Sequence, residues 1–128
     1  MIAGYEPIVN LTRITVPPEH RRELCQTISS LIKPVRGEKG CLTYNFYEEG
    51  DDENTFILIG EWDTADDWNS HLNSNNFAVL LGSIMLLCAR SKIDFKLLSP
   101  VANMEAAARA RVWSKPAAIF VMFESPAT

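Results

Sequence analysis

The stretch Phe56–Leu81, FILIGEWDTADDWNSHLNSNNFAVLL, decides how this chain folds. It opens as a strand. Phe56, Leu58, Gly60 and Trp62 fall on one side, and Thr55, Ile57, Ile59 and Glu61 on the other. Both sides are largely apolar, as in a strand covered on both faces. The strand breaks at Asp63-Thr64. Thr64, with Asp67 three residues later, forms a weak start signal for a short helix, because the usual partner acid is Glu or Gln. Trp68, His71 and Leu72 then share one helical face. A polar break, Asn73 to Asn76, leads to a second apolar helix from Phe77.

Upstream, Cys41–Glu48 alternates as a strand, with Leu42, Tyr44 and Phe46 on one face and Thr43, Asn45 and Tyr47 on the other. The acidic EGDDEN turn joins it to the next strand as a hairpin. Before it lies the loop VRGEKG, with Gly37 and Gly40 as turn residues. A helix opened by Pro17-Pro18 carries Leu24, Ile28, Leu31 and Ile32 as its apolar stripe, and Pro34 is expected to stop it. The first strand is Ile8–Val16, rich in β-branched residues. Downstream, Ser91–Leu98 reads as a last strand with Ile93, Phe95 and Leu97 inward and Lys92, Asp94 and Lys96 outward.

The order β-α-β-β-α-(α)-β predicts an α+β fold: the ferredoxin-like split βαβ, one antiparallel sheet with its helices on a single face. The apolar residues on the other sheet face then need cover. A second copy of the sheet supplies it, so a homodimer with face-to-face sheets is expected. Residues 1–100 form this domain, and 101–128 are a C-terminal extension packing on the same domain or on the dimer partner. In that extension 103–113 reads as a helix and AAIFVMF as a short buried strand.

A length of 128 residues with 47% apolar and 22% charged residues fits one ordinary globular domain. A net charge of −4 without a basic run argues against nucleic acid as a partner. No apolar run is long enough to span a bilayer, and MIAGYEPIVN lacks the pattern of a secretory signal, so a cytoplasmic protein that does not enter the membrane is expected. Cys25, Cys41 and Cys88 sit at unrelated spacings among apolar neighbours and read as buried, reduced thiols.

The chemistry-bearing motifs are few. His20 and His71 lie on different helices and no metal spacing occurs, so no metal site is expected. Phosphate-loop, dinucleotide and Gly-x-Ser-x-Gly patterns are missing from the sequence. What remains is an aromatic-walled cleft between the sheet and the second and third helices, the usual composition of a small-molecule site. Trp68, His71, Phe77 and Leu81 can line it from the helices; Asn10, Thr12, Tyr44 and Trp62 are the candidates from the sheet. Strand parity alone leaves open which faces turn inward. His71 is the acid/base candidate, since imidazole titrates near neutral pH. A His on an apolar helix face is also a common structural residue, and Trp62 and Trp68 read first as core. Asn10, as a buried amide, needs partners, of which a ligand is one kind. His20, beside Arg21 and Arg22, reads as a solvated helix face.

Taken in order, Gly40, Glu61-Trp62, His71-Leu72 and Phe77 resemble the antibiotic biosynthesis monooxygenase family over roughly residues 8–100. The resemblance implies a dimeric α+β barrel. It implies a monooxygenase without metal, flavin or haem that acts on an aromatic polyphenol, quinol or anthrone together with molecular oxygen. In that reading His71 and Asn10 carry the catalysis. His71 is the base, Asn10 or Tyr44 holds an oxyanion, and Trp62 and Trp68 stack the ring beside Thr12, Phe77 and Leu81. Haem-degrading relatives use an Asn, a Trp and an axial His where this chain has Thr12, His71 and Leu81, and a leucine cannot ligate iron. A sugar-like substrate, as of an isomerase in the family's neighbourhood, fits an aromatic pocket poorly. A non-catalytic dimer that binds a ligand or serves a stress response is the alternative, kept open by the C-terminal extension.

Overall fold

The computed structural model describes residues 7–88, 92–99 and 108–109. Its elements are β1 (Ile8–Thr15), α1 (Arg21–Arg36), β2 (Cys41–Glu49), β3 (Asp52–Trp62), α2 (Ala65–Leu72), α3 (Asn75–Leu87) and β4 (Ile93–Leu98). A short 3-10 turn, Pro18–His20, leads into α1. The sheet runs β2-β3-β1-β4, every neighbouring pair antiparallel. This is the expected ferredoxin-like α+β arrangement.

The alternation read in the sequence sorts the sheet's two faces. Asn10 pairs with Gly60, Thr12 with Leu58 and Ile14 with Phe56, so these residues share one face. That face is buried under the helices: Ile14, Phe56, Leu58 and Trp62 pack with Leu24, Ile28, Leu31 and Val35 of α1 and with Leu80, Ile84 and Leu87 of α3. Each of these side chains contributes roughly 1.5–3 kcal/mol by leaving water, before the entropy of ordering it is counted.

The opposite face carries Val9, Leu11, Ile57 and Ile59, all only half-buried. Tyr47 and Leu98 flank them and are 52% and 47% exposed. Thr55, on this same face, is buried, and its hydroxyl is satisfied by Thr15 (2.9 Å) and the Asp52 carboxylate (2.8 Å).

Several expectations are corrected. Pro34 does not end α1, which continues to Arg36. The proline lacks its own N–H bond, yet it lies in the last turn, where its carbonyl still accepts from Gly37 N (3.2 Å) and Val35's accepts from Glu38 N (2.9 Å). Leu42 does not share the inward face of Tyr44. A register shift between Cys41 and Thr43 turns it outward, 49% exposed. Phe95 and Leu97 do lie on the helix side, opposite Thr12 and Asn10, yet remain 46% and 51% exposed, because β4 is an edge strand. Of the cysteines only Cys88 is buried; Cys25 and Cys41 are intermediate, and all are free thiols. The helix and strand expected within 101–128 lie outside the described residues, apart from helical Ala108 and Arg109. No helix among the described residues is long and apolar enough to cross a membrane.

Candidate active site

His71 is the centre of the arrangement. It lies in the last turn of α2, is 2% exposed, and stacks on Trp62 at 4.4 Å between ring centroids and an interplanar angle of 26°. Trp68 lies tilted against it at 5.7 Å; Tyr44 and Phe77 present edges at 6.0 and 5.4 Å. Each contact follows from local sequence. Trp68 and His71 are three apart on α2, so they share a face. Trp62 and Tyr44 are on the helix-facing side of neighbouring strands, with Gly60 between them. A Cβ at Gly60 would lie 3.0 Å from the Tyr44 ring and 3.2 Å from Trp62 Nε1, so the glycine lets the two rings close in.

The polar partner of His71 comes from far away in the chain. Glu38 Oε1 lies 2.9 Å from His71 Nδ1, and the second oxygen, Oε2, accepts from Asn76 Nδ2 at 2.8 Å. Glu38 reaches this place because the loop after α1 is pinned. Gly40 adopts φ +79°, and its carbonyl accepts from Asp63 N at 2.8 Å, tying the loop to the start of α2. Ser74 fixes the other side. Its hydroxyl donates to the His71 carbonyl (2.7 Å) and accepts from Phe77 N (3.1 Å), so one residue closes α2 and caps α3.

Beside this cluster is a cavity of about 60 Å³ lined by Thr12, Phe77, Leu80, Leu81, Ile84, Ile93 and Phe95. Phe77 belongs to both, and Phe95 also approaches Trp68 at 6.0 Å. Thr12 is the polar lining residue; its hydroxyl donates to Asn10 Oδ1 at 3.3 Å, and Asn10 Nδ2 donates to the Lys96 carbonyl at 3.2 Å. Trp62 Nε1 is buried with no hydrogen-bond partner. Burial, reinforced by Glu38 and Cys41, pushes the Tyr44 phenol far above its ordinary range, so it stays protonated and able to donate. Burial also raises the Cys41 and Cys88 thiols, which leaves neither as a ready thiolate.

The family profile for antibiotic biosynthesis monooxygenase matches residues 7–80, from the start of β1 to the second turn of α3. The chain belongs to the antibiotic biosynthesis monooxygenase family. It is 36% identical over 55 residues to a Bacillus subtilis protein named "Putative monooxygenase YcnE", covering 43% of this chain and 58% of that one. It is 35% identical over 57 residues to "Uncharacterized protein sll1783" of Synechocystis, covering 44% of this chain and 39% of the other. The match thus spans less than two thirds of either curated relative. Among solved structures, Rv0793 from Mycobacterium tuberculosis superposes with a TM-score of 0.71 at 22% identity, over 77% of this chain and 98% of that one, a likeness of fold.

Within this monooxygenase-family fold, the residues singled out from sequence fall into three sets. Thr12, Phe77 and Leu81 line the cavity. His71, Trp62, Trp68 and Tyr44 form the aromatic cluster that meets it at Phe77 and Phe95. Asn10 stands behind Thr12, engaged by the β4 backbone. Sequence reasoning missed Leu80, Ile84, Ile93 and Phe95 as lining residues, although the signal was there. Residues 77, 80, 81 and 84 repeat at helical spacing, and Ile93 and Phe95 are the inward face of β4. It also missed Glu38 and Asn76, for which local sequence carries no signal.

Proposed function

We propose that this protein is a monooxygenase of aromatic phenolic substrates, a polyphenol, quinol or anthrone, and that it works without a metal or organic cofactor. The observation that carries the reading is His71: a buried imidazole, held at one nitrogen by Glu38, set one ring away from a carbon-lined cavity. The substrate ring lies against Phe77, Leu81 and Phe95, and His71 takes its acidic proton. The carbanion or phenolate then reduces molecular oxygen directly. For an anthrone the methylene becomes a ketone: both C–H bonds break, one oxygen atom enters the product and the other leaves as water. Every electron comes from the substrate, so no external reductant is needed. Protonated Tyr44 is the donor suited to a developing oxyanion. Trp62 and Trp68 keep the site dry.

The cavity of about 60 Å³ is far smaller than the roughly 300 Å³ of a typical ligand pocket. Leu81 and Phe95 line it and are 43% and 46% exposed, so they are the side chains that move aside for a ring. The small volume is also what favours the second reading, a dimer of the same fold without catalysis. An oxygen electrode with a panel of anthrones and reduced naphthoquinols separates the two. Uptake above the uncatalysed rate that is lost in His71→Ala supports the oxygenase. Background uptake across the panel, with ligand binding detected by tryptophan fluorescence, supports the non-catalytic reading.

The half-buried Val9, Leu11, Ile57 and Ile59 support a homodimer in which a second copy covers this face. Light scattering tests it: Ile59→Lys halves the mass of the native species, and a native monomer overturns the proposal.

A further inference from the structure

Glu38 faces one nitrogen of the buried His71 ring. The contact is 2.9 Å to Nδ1, on a ring that is 2% exposed, from a carboxylate whose other oxygen already accepts from Asn76 at 2.8 Å. An ionised carboxylate only accepts. A neutral imidazole facing it must therefore carry its proton on Nδ1, and Nε2 is left with its lone pair. Asn76 contributes by holding the carboxylate plane, since its amide N–H can only donate. The pinned loop adds rigidity: Gly40, two residues on, is tied to Asp63, and α3 presents Asn76 one residue before Phe77, whose N–H is capped by Ser74.

We propose that Glu38, oriented by Asn76, is a positioning residue that selects the Nδ1–H tautomer of His71 and so makes Nε2 the atom that accepts the substrate's proton. The proposal rests on the reading of His71 as the base. Its tautomer half stands or falls separately, because a ring tautomer can be read without turnover. Glu38→Gln is the discriminating change. The amide keeps the shape and can still make one hydrogen bond, but by donating its N–H to Nδ1 it drives the ring proton to Nε2, where it blocks proton acceptance.

The experiment is long-range nitrogen–proton correlation NMR of the two histidine rings in uniformly labelled protein, at a pH where the imidazoles are neutral, with His20→Gln assigning His71. The expected native spectrum has His71 protonated at Nδ1 and bare at Nε2. In Glu38→Gln the two nitrogen shifts exchange character, and oxygen uptake on an accepted substrate falls at least about tenfold, the direction known for a wrong-tautomer catalytic histidine. Asn76→Ala keeps the Nδ1–H pattern and loses less. A native His71 protonated at Nε2, or a Glu38→Gln ring unchanged from the native one, overturns the proposal. If Glu38→Gln does not fold, the native spectrum alone still decides the tautomer. Loss of uptake in His71→Ala together with full uptake in a tautomer-switched Glu38→Gln would retain the base and remove the role of Glu38.

Discussion

Glu38 and His71, thirty-three positions apart in the chain, are joined by a 2.9 Å contact that ties the loop after α1 to the end of α2. The contact is structural whatever the chemistry, because it satisfies a nitrogen on a nearly fully buried ring. Glu38→Ala leaves both His71 Nδ1 and the Asn76 amide without their acceptor. Leaving a buried polar group unpaired costs about 1–3 kcal/mol. Urea unfolding should show a fall of that size with an unchanged m-value, and Glu38→Gln should lose less than Glu38→Ala.

Gly40 should tolerate no side chain. Its φ of +79° disfavours any L-residue, and a Cβ there would come within 2.1 Å of the Asp67 carboxylate. The backbone part alone costs about 1–2 kcal/mol. Gly40→Ala is therefore expected to be destabilised by more than that, and Gly40→Ala with Asp67→Ala to recover only the part due to the carboxylate, because the Asp67 Cβ, 2.4 Å from the added methyl, remains. Equilibrium denaturation of the two single variants and the double variant measures the split.

Ser74 performs two tasks, and its loss should show both. Ser74→Ala removes the acceptor for Phe77 N–H and the donor to the His71 carbonyl. The cap loss is worth about 1 kcal/mol, up to about 2. Amide hydrogen exchange should speed up at Phe77 and Ala78, the first turn of α3, and not in α1.

Tyr44 gives a pH signature of known sign. Its pKa is raised in the folded state by burial first, then by Glu38 and Cys41. A raised acid pKa means that the unfolded chain ionises first. Stability from this residue is thus full below the ordinary tyrosine pKa of about 10 and is lost as pH rises above it toward the folded value. Tyr44→Phe should flatten the alkaline fall in stability. Absorbance titration of the folded protein should give the same phenolate signal, through the ordinary tyrosine range, with and without the Tyr44 hydroxyl.

The fold was legible because its signals are periodic. Alternation in Thr55–Trp62 placed Phe56, Leu58 and Trp62 on one face, and Thr64 and the polar break before Phe77 marked the helix starts that Thr64 and Ser74 cap. Departures came where backbone detail overrides pattern. A bulge after Cys41 turned Leu42 outward, and a terminal turn absorbed Pro34. The site was legible only in part, for a similar reason. Tyr44, Trp62, Trp68, His71 and Phe77 meet because the sheet and helices bring their apolar faces together, and periodicity shows those faces. Glu38 and Asn76 reach His71 from loop and cap positions, where only the folded path of the backbone reveals who is opposite whom.

The proposed incorporation of oxygen, with the substrate supplying all the electrons, is read with isotopically heavy dioxygen and mass spectrometry of the product. The substrate is an anthrone, and His71→Ala is the control. One heavy oxygen atom is expected in the ketone product and the other in water, with loss of labelled product in the variant. An unlabelled product accompanied by an equivalent of hydrogen peroxide, or labelling equal to the uncatalysed background, would overturn the proposed oxygenase.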